Sequence, residues 1–369
     1  MGFLVITNAP TLYKDDVYHA YAPYVKEMNL WFSKVDEVTI LCPTVYEKPL
    51  LIAPFTKQDL EIVSVPFIQL GSTSHLLKTI FQVPGIAYKM YRSMKKADHI
   101  HLRCPGNIGL IATFVQLLFP SKKKTAKYAG NWDPKATQPW SYRLQKRMLS
   151  SERWTKNMQV LVYGDWPNQS KNIKSFFTAT YPNSAIPALS TPNYDGPFRI
   201  LFVGSLVTGK GPMYAVQWIA ECNASGIPCV LDMYGDGAER EKLETYIAKN
   251  NLEALVRLHG NQEASVLQKA YQTAHFMILP SKSEGWPKVV AEAMFWGAIP
   301  LVTSISCVPW MLDNGNRGHL LSLNLEEDIS AFAKAVSDTK ALHEMSTAGQ
   351  RWSQGYTLDT FEKAIETLL

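Results

Sequence analysis

The sequence predicts an α/β protein built from two doubly wound, parallel-sheet domains. Three observations predict it: the length, an alternation of short apolar runs with amphipathic stretches of ten or more residues, and a proline-rich break separating two rounds of that alternation. A chain of 369 residues exceeds one ordinary core and suits two. The composition, 46% apolar and 19% charged, excludes disordered and collagen-like classes.

The elements follow in order. The apolar run 3–7 reads as a buried first strand, followed by a candidate helix over about 16–34 and a strand over 37–42. A strand over 62–65 ends at Pro66, and helical periodicity returns over 75–94. Next come strand 99–103, buried helix 108–119, strand 125–129, helix 142–152 and strand 159–163. Residues 181–197 carry Pro182, Pro187, Pro192 and Pro197 and read as a linker. The alternation then restarts with strand 199–203, helix 213–225, strand 229–233, helix 240–250 and strand 256–258. Helix 265–273, strand 276–279, helix 289–296 and strand 299–302 follow, and the end is helical from 328, closing with 358–369. The expected domains are 1–185 and 186–355, with a last helix over 356–369 packing back on the first. A ligand is expected in the cleft that the two domains face, at the carboxyl ends of their strands.

The greasiest run, 108–119, contains Thr113 and Gln116 and is far short of the about twenty residues of a spanning helix. The start, Met1-Gly2-Phe3-Leu4, lacks the basic region and cleavage site of a signal peptide. Cys42, Cys104, Cys222, Cys229 and Cys307 are odd in number and scattered, which suits a reducing cytoplasm rather than a disulfide framework. Net charge is +5, but residues 1–190 hold 23 Lys+Arg against 12 Asp+Glu, giving +11 there and −6 over the remainder. The basic excess is densest over 122–156, with Trp132, Trp140 and Trp154 interleaved. Basic and aromatic residues so mixed suit an anionic membrane surface or nucleic acid, or else a solvated helix face with core tryptophans.

Several motifs carry chemistry. Gly204-Ser205-Leu206-Val207-Thr208-Gly209-Lys210-Gly211 follows a strand and opens a helix, so free N–H groups and Lys210 face a prospective anion. It misses the P-loop pattern because Gly211 stands where a metal-holding hydroxyl is required. A tight turn with a solvated lysine is the plain alternative. Tyr234-Gly235-Asp236-Gly237 lacks the third glycine of a dinucleotide fingerprint and reads as a turn. Glu284 and Glu292 flank Gly285-Trp286-Pro287, with Glu284 in a loop and Glu292 on the helix that follows. On a continuous helix they would lie ~80° apart, and the loop lets Glu284 bend back toward the same cleft. His99 and His101 alternate on one strand face without a third ligand nearby, so a core-facing pair is expected and no metal site.

Taken in order, Val203-Gly204-Ser205-Leu206, Lys210-Gly211, Tyr234-Gly235-Asp236-Gly237, His259-Gly260, Pro280-Ser281, Glu284-Gly285-x-Pro287 and Glu292-Ala293-Met294 form a spaced string. Gly297-x-x-Pro300 and Gly318 extend it. The string resembles the retaining glycosyltransferases of the GT-B architecture, family 4 (glycosyl transferases group 1), over about 198–322. The resemblance implies a nucleotide-diphosphate sugar as donor substrate, with no cofactor and no metal. Glu292 matches the family glutamate on the ribose hydroxyls, Glu284 the one on the transferred sugar, and Lys210 the lysine on the diphosphate. Gly204, Ser205 and the Gly285-Trp286-Pro287 backbone complete the implied donor set. Two positions depart from the family: Ser205 replaces the usual arginine, and Arg103 stands where many members have a histidine facing the sugar. Arg103 is therefore expected to share the charge of the site with Lys210.

No glycosidase-like nucleophile–acid pair is placed on the sugar, so same-face attack, with the departing phosphate deprotonating the acceptor, fits retention. The expected acceptor is a lipid-linked or cell-surface glycan precursor, glycosylated from the cytoplasmic side of an anionic membrane, with no nucleic acid as partner. A nucleotide-sugar epimerase of related architecture and a non-catalytic nucleotide-sugar-binding scaffold stand as alternatives, with a P-loop phosphotransferase behind them.

Overall fold

The computed structural model describes residues 1–46, 51–68, 73–189 and 192–369. The backbone divides into one unit of Met1–Phe177 with Phe361–Leu369 and a second of Thr178–Thr360. Most of the proline-rich segment lies at the start of the second unit, and positions 190 and 191 within it fall outside the described residues.

The first unit runs β1 (Gly2–Ile6), β2 (Leu12–Lys14), β3 (Val17–Tyr21), α1 (Ala22–Phe32), β4 (Glu37–Cys42), β5 (Ile52–Pro54) and β6 (Leu60–Ser64). It continues through α2 (Thr73–Lys96), β7 (His99–Cys104), α3 (Asn107–Val115), β8 (Lys123–Tyr128), α4 (Trp140–Leu149), β9 (Met158–Tyr163) and β10 (Ile173–Phe176). Seven strands pair in parallel in the order β10-β9-β8-β7-β1-β4-β6. Strand alternation sends Leu4, Ile6, Ile100 and Leu102 into a core with Ile86, Met90 and Met94 of α2 and Ile108 and Ala112 of α3. Phe3 and His101 point the other way, onto Trp31 of α1.

The expected helix over 16–34 is a correction. Its first third is strand: β2 and β3 form an antiparallel hairpin extended by β5. Asp15 and Asp16 take positive φ at the turn, a conformation aspartate tolerates, and the Val17-Tyr18-His19-Ala20-Tyr21 run suits a pleated surface better than a helix. Helix α1 starts only at Ala22, with Pro23 in its first turn.

Buried charge holds this unit together beneath β7 and β8. Arg103 and Lys127 are register neighbours, and both bond Glu27 of α1, the Lys127 Nζ at 3.1 Å. The Lys127 ammonium also donates to the Phe177 carbonyl at 3.2 Å and lies 5.1 Å from the rings of Phe176 and Phe361. Those contacts tie β8 to the end of β10 and to Phe361–Leu369 of the chain's last helix.

The second unit comprises β11 (Phe198–Val203), α5 (Pro212–Ala224), β12 (Cys229–Tyr234), α6 (Arg240–Lys249), β13 (Val256–Gly260), α7 (Ala264–Thr273) and β14 (Phe276–Leu279). Then follow α8 (Lys288–Phe295), β15 (Ile299–Thr303), α9 (Val308–Met311), β16 (His319–Leu321), α10 (Leu325–Val336) and α11 (Thr339–Ser353). The last helix, α12 (Leu358–Leu368), belongs to the first unit from Phe361 onward. Six parallel strands lie in the order β13-β12-β11-β14-β15-β16. Strand order therefore reverses between β11 and β14, the position at which open α/β sheets bind ligands.

Among the described residues three histidines are buried without charge. His99 and His101 share the Thr125 hydroxyl at 2.9 and 2.8 Å, and His275 Nδ1 accepts from the Arg199 N–H at 3.1 Å. Burial pushes His99 and His275 down to about 4 and His101 well below its usual value. The unfolded chain then binds more protons than the folded one between about pH 4 and 6.5, so stability falls as pH falls through that window. His99 and His275 each withdraw on the order of 2 kcal/mol between pH 7 and 5. Urea unfolding should show a clear loss of stability at pH 5, part of it absent in His275→Gln. Equal stability at both pH values would contradict the neutral burial.

Candidate functional site

The two loops that leave β11 and β14 at the strand-order reversal are stitched to each other through backbone. Lys282 N–H donates to the Gly209 carbonyl at 2.9 Å. Gly211, at φ 67°, caps α5 so closely under the second loop that a Cβ there would stand 2.4 Å from the Pro280 carbonyl oxygen. The first loop is laced equally to the turn after β12. Gly204 N–H donates to the Tyr234 carbonyl at 2.9 Å and Leu206 N–H to the Asp236 carbonyl at 3.0 Å. Added methyls at Gly235 and Gly237 would collide with the carbonyls of Gly204 and Leu206. The glycines of both sequence motifs thus allow backbones to approach, which is their structural reason.

Side chains meet over this frame. Lys210 Nζ donates to Glu284 Oε1 at 2.5 Å; the lysine is partly exposed and the glutamate is 8% exposed. The Gly285 carbonyl accepts from Ser306 Oγ at 3.2 Å and Cys307 Sγ at 3.1 Å, and burial pushes the Cys307 thiol up to about 12, keeping it a donor. Trp286 is buried against Trp310, Trp352 and Tyr356, with ring centroids 5.7 to 6.1 Å away. Pro287 is the cap residue of α8 rather than its first helical residue. The loop from Glu284 to Pro287 is therefore pinned at its carbonyl, its indole and its exit. Ser205 is exposed and adds no charge.

Glu292 lies on α8 with both oxygens engaged: Oε1 accepts from Thr180 Oγ1 at 2.6 Å and Oε2 from Tyr271 Oη at 2.9 Å. Tyr271 is fully buried, and burial first, then the Glu292 charge, holds its phenol protonated well above the usual range. Neither partner was legible in the sequence: Tyr271 lies 21 residues away and Thr180 112. At the ends of β12 and β13, Tyr234 stacks on His259 at 4.4 Å, and Asp232 takes the imidazole at 2.6 Å. In the sequence Tyr234 and His259 stand only as members of the spaced string.

Arg103 does not present the free charge expected of it. Its guanidinium is 13% exposed, bonded to Glu27 and 5.3 Å above the Tyr24 ring. The basic run 122–156 is divided between inward and exposed residues. Lys122 caps the carbonyls of Lys95 and Ala97, Lys124 is buried on the Phe119 carbonyl, and Lys146 binds those of Trp132 and Asp133. Trp132 is core. Of the run's basic residues Lys124 and Lys127, both on β8, are buried, while Lys123, Lys135, Arg143, Arg147, Arg153 and Lys156 are exposed. Among the described residues no group of three or more His, Cys, Asp and Glu side chains is placed to hold a metal.

Residues 190–352, just under half of the chain, match the family model described as Glycosyl transferases group 1. An uncharacterized glycosyltransferase of Methanocaldococcus jannaschii is 28% identical over 169 residues, 43% of this chain and 46% of that protein. The chain spans less than half the length of the first curated relatives it matches. The lipopolysaccharide outer core galactosyltransferase WaaB, in its apo form, is similar over 100% of this chain and 99% of its own, with TM-score 0.70 and 15% identity. HepE of Anabaena, solved with UDP and glucose, is similar over 100% and 99%, with TM-score 0.66 and 12% identity. The fold is thus that of two Rossmann-like α/β domains, as in GT-B glycosyltransferases.

A paired substitution tests the stitched loops. Gly226 also has positive φ, 79°, but open space where a Cβ would sit, so Gly226→Ala should cost only backbone strain, about 1 kcal/mol. Gly211→Ala adds a collision with backbone and should lose distinctly more in urea unfolding. Equal losses would show that the two loops are not in contact at Gly211.

Proposed function

We propose that the chain is a retaining glycosyltransferase of family 4 that moves a sugar from a nucleoside-diphosphate donor to a hydroxyl of a lipid-linked or cell-surface glycan precursor. The observation that carries this reading is the Lys210–Glu284 pair on the two loops at the strand-order reversal. With no anion nearby, the two charges neutralise each other. A bound diphosphate takes Lys210 and the N-terminal N–H groups of α5, which frees Glu284 to accept from a sugar hydroxyl. The family match over 190–352 includes Lys210, Glu284 and the start of α5. UDP and glucose, with which HepE was solved, make UDP-hexoses the first donors to try.

The reaction breaks the bond from the anomeric carbon to the diphosphate oxygen and forms one from that carbon to the acceptor oxygen on the same face. The acceptor proton passes to the departing diphosphate. Lys210 stabilises the charge that develops there, and no metal is assigned a step. Glu292, oriented by Tyr271 and Thr180, is assigned to the ribose hydroxyls, and Gly204, Ser205 and the Gly285–Trp286–Pro287 backbone to the rest of the donor. Arg103, bonded to Glu27, is assigned a positioning role in the first unit. Among the described residues no helix is long and apolar enough to cross a membrane, so the proposed placement at the cytoplasmic face is peripheral.

Purified protein incubated with a panel of nucleotide sugars, with and without lipid extract, should release nucleoside diphosphate in an acceptor-dependent way, and the product should keep the donor's anomeric configuration. An epimerised nucleotide sugar without release would instead identify an epimerase, and binding without turnover a scaffold. Lys210→Ala should lower kcat roughly a hundredfold or more. Glu292→Ala should weaken nucleotide affinity about ten- to a hundredfold in calorimetry, and unchanged affinity would remove it from the ribose.

A further inference from the structure

Helices α2, α3 and α4 pack side by side, α2 on α3 and α3 on α4, over one face of the first sheet. Their sequences contain eight basic residues, Lys78, Lys89, Arg92, Lys95, Lys96, Arg143, Lys146 and Arg147, and no aspartate or glutamate. Their outer surface is also apolar. Phe81 is 83% exposed, Tyr88 60%, Leu118 (just after α3) 65% and Trp140 62%, with Phe114 and Trp154 more than two-fifths exposed. The inward positions of α2, Ile86, Met90 and Met94, are buried, which sets Phe81, Tyr88, Arg92 and Lys95 on the opposite stripe. On α4 the buried Gln145, Met148 and Leu149 likewise leave Trp140, Arg143 and Arg147 outward.

We propose that this three-helix face docks on an anionic lipid bilayer, its aromatic and leucine side chains entering the headgroup–acyl boundary and its arginines and lysines meeting lipid phosphates. The proposal deepens, and rests on, the reading of the protein as acting at a membrane. Charge and composition choose the occupant. A second copy of the chain would bring the same acid-free basic surface against itself across a two-fold interface, and like charges would repel. A polyanion such as nucleic acid would use the arginines but leave Phe81 and Leu118 in water. A bilayer interface uses both sets, because amphipathic surfaces of Trp, Phe, Leu, Lys and Arg partition there by combined burial and attraction. The face takes Trp140, Arg143, Arg147 and Trp154 from the run 122–156 and leaves out Lys122, Lys124, Lys127 and Lys146, whose ammonium groups bond within the unit.

Vesicle flotation of the full chain, without donor or acceptor, tests the surface independently of any transfer activity. Vesicles of phosphatidylcholine with phosphatidylglycerol should bind the protein, and pure phosphatidylcholine should bind it at least tenfold less. The double change Arg143→Glu, Arg147→Glu should lower binding to the anionic vesicles about tenfold or more, and Phe81→Ser with Trp140→Ser should lower what survives in high salt. All four side chains are exposed, so circular dichroism should stay unchanged, and Lys242→Glu on α6 should bind as the parent does. Equal binding to both vesicle types would overturn the proposal. So would retained binding in the arginine variant with loss on Lys123→Glu, Lys156→Glu and Lys174→Glu, which line a separate basic cavity of about 510 Å³. A parent that is dimeric by light scattering and becomes monomeric on Trp140→Ser would assign the face to a second copy instead.

Discussion

The second unit depends on one close approach. The reversal of strand order puts the ends of β11 and β14 side by side, and their loops share one small volume only because Gly211 has no Cβ to meet the Pro280 carbonyl. From that contact the rest follows in sequence. The first loop is turned so that α5 begins beneath it, Lys210 rises at the end of that turn, and the second loop carries Glu284 to within 2.5 Å of the lysine. Among the described residues, this carboxylate almost out of water and this partly exposed ammonium form a pair with one partner each. Such a pair is stable in isolation yet open to exchange with a stronger anion, because the lysine side faces solvent.

The first unit solves a different electrostatic problem. Glu27, Arg103 and Lys127 bring two cations and one anion beneath β7 and β8, and three aromatic rings and a backbone carbonyl also lie against the lysine. Removing Glu27 would leave two buried cations without their carboxylate, which costs far more than the loss of one surface pair. The charges thus fix α1 and the chain's last turns to the sheet and leave the outer faces of α2, α3 and α4 as a surface of one sign.

Much of the fold was legible because parallel strands buried on both faces read as apolar runs. The runs 37–42, 99–103, 199–203 and 276–279 coincide with β4, β7, β11 and β14 within a residue. The hairpin of β2 and β3 was not, because a Val/Tyr/His/Ala run of five carries no periodicity that separates strand from helix, and the turn before it is made by two aspartates rather than by glycine. At the site, Lys210, Glu284 and the glycines were visible as motifs, since their chemistry lies in local spacing. Tyr271 and Thr180 on Glu292, and Glu27 on Arg103, were not, since each is joined by tertiary folding across 21 to 112 residues. In the basic run 122–156 the burial of Lys124 and Lys127 was not legible either, since charge counted along a strand takes no account of which face each residue occupies.

The central claim is that Lys210 and Glu284 hold each other until a diphosphate displaces the glutamate. Calorimetric titration of UDP into Glu284→Gln tests it most directly. The account predicts tighter UDP binding than in the parent, because the ammonium no longer has to leave a carboxylate, together with lost turnover. UDP affinity that is lower in Glu284→Gln than in the parent would contradict it, and would mean that Glu284 supports the diphosphate site rather than guarding its charge.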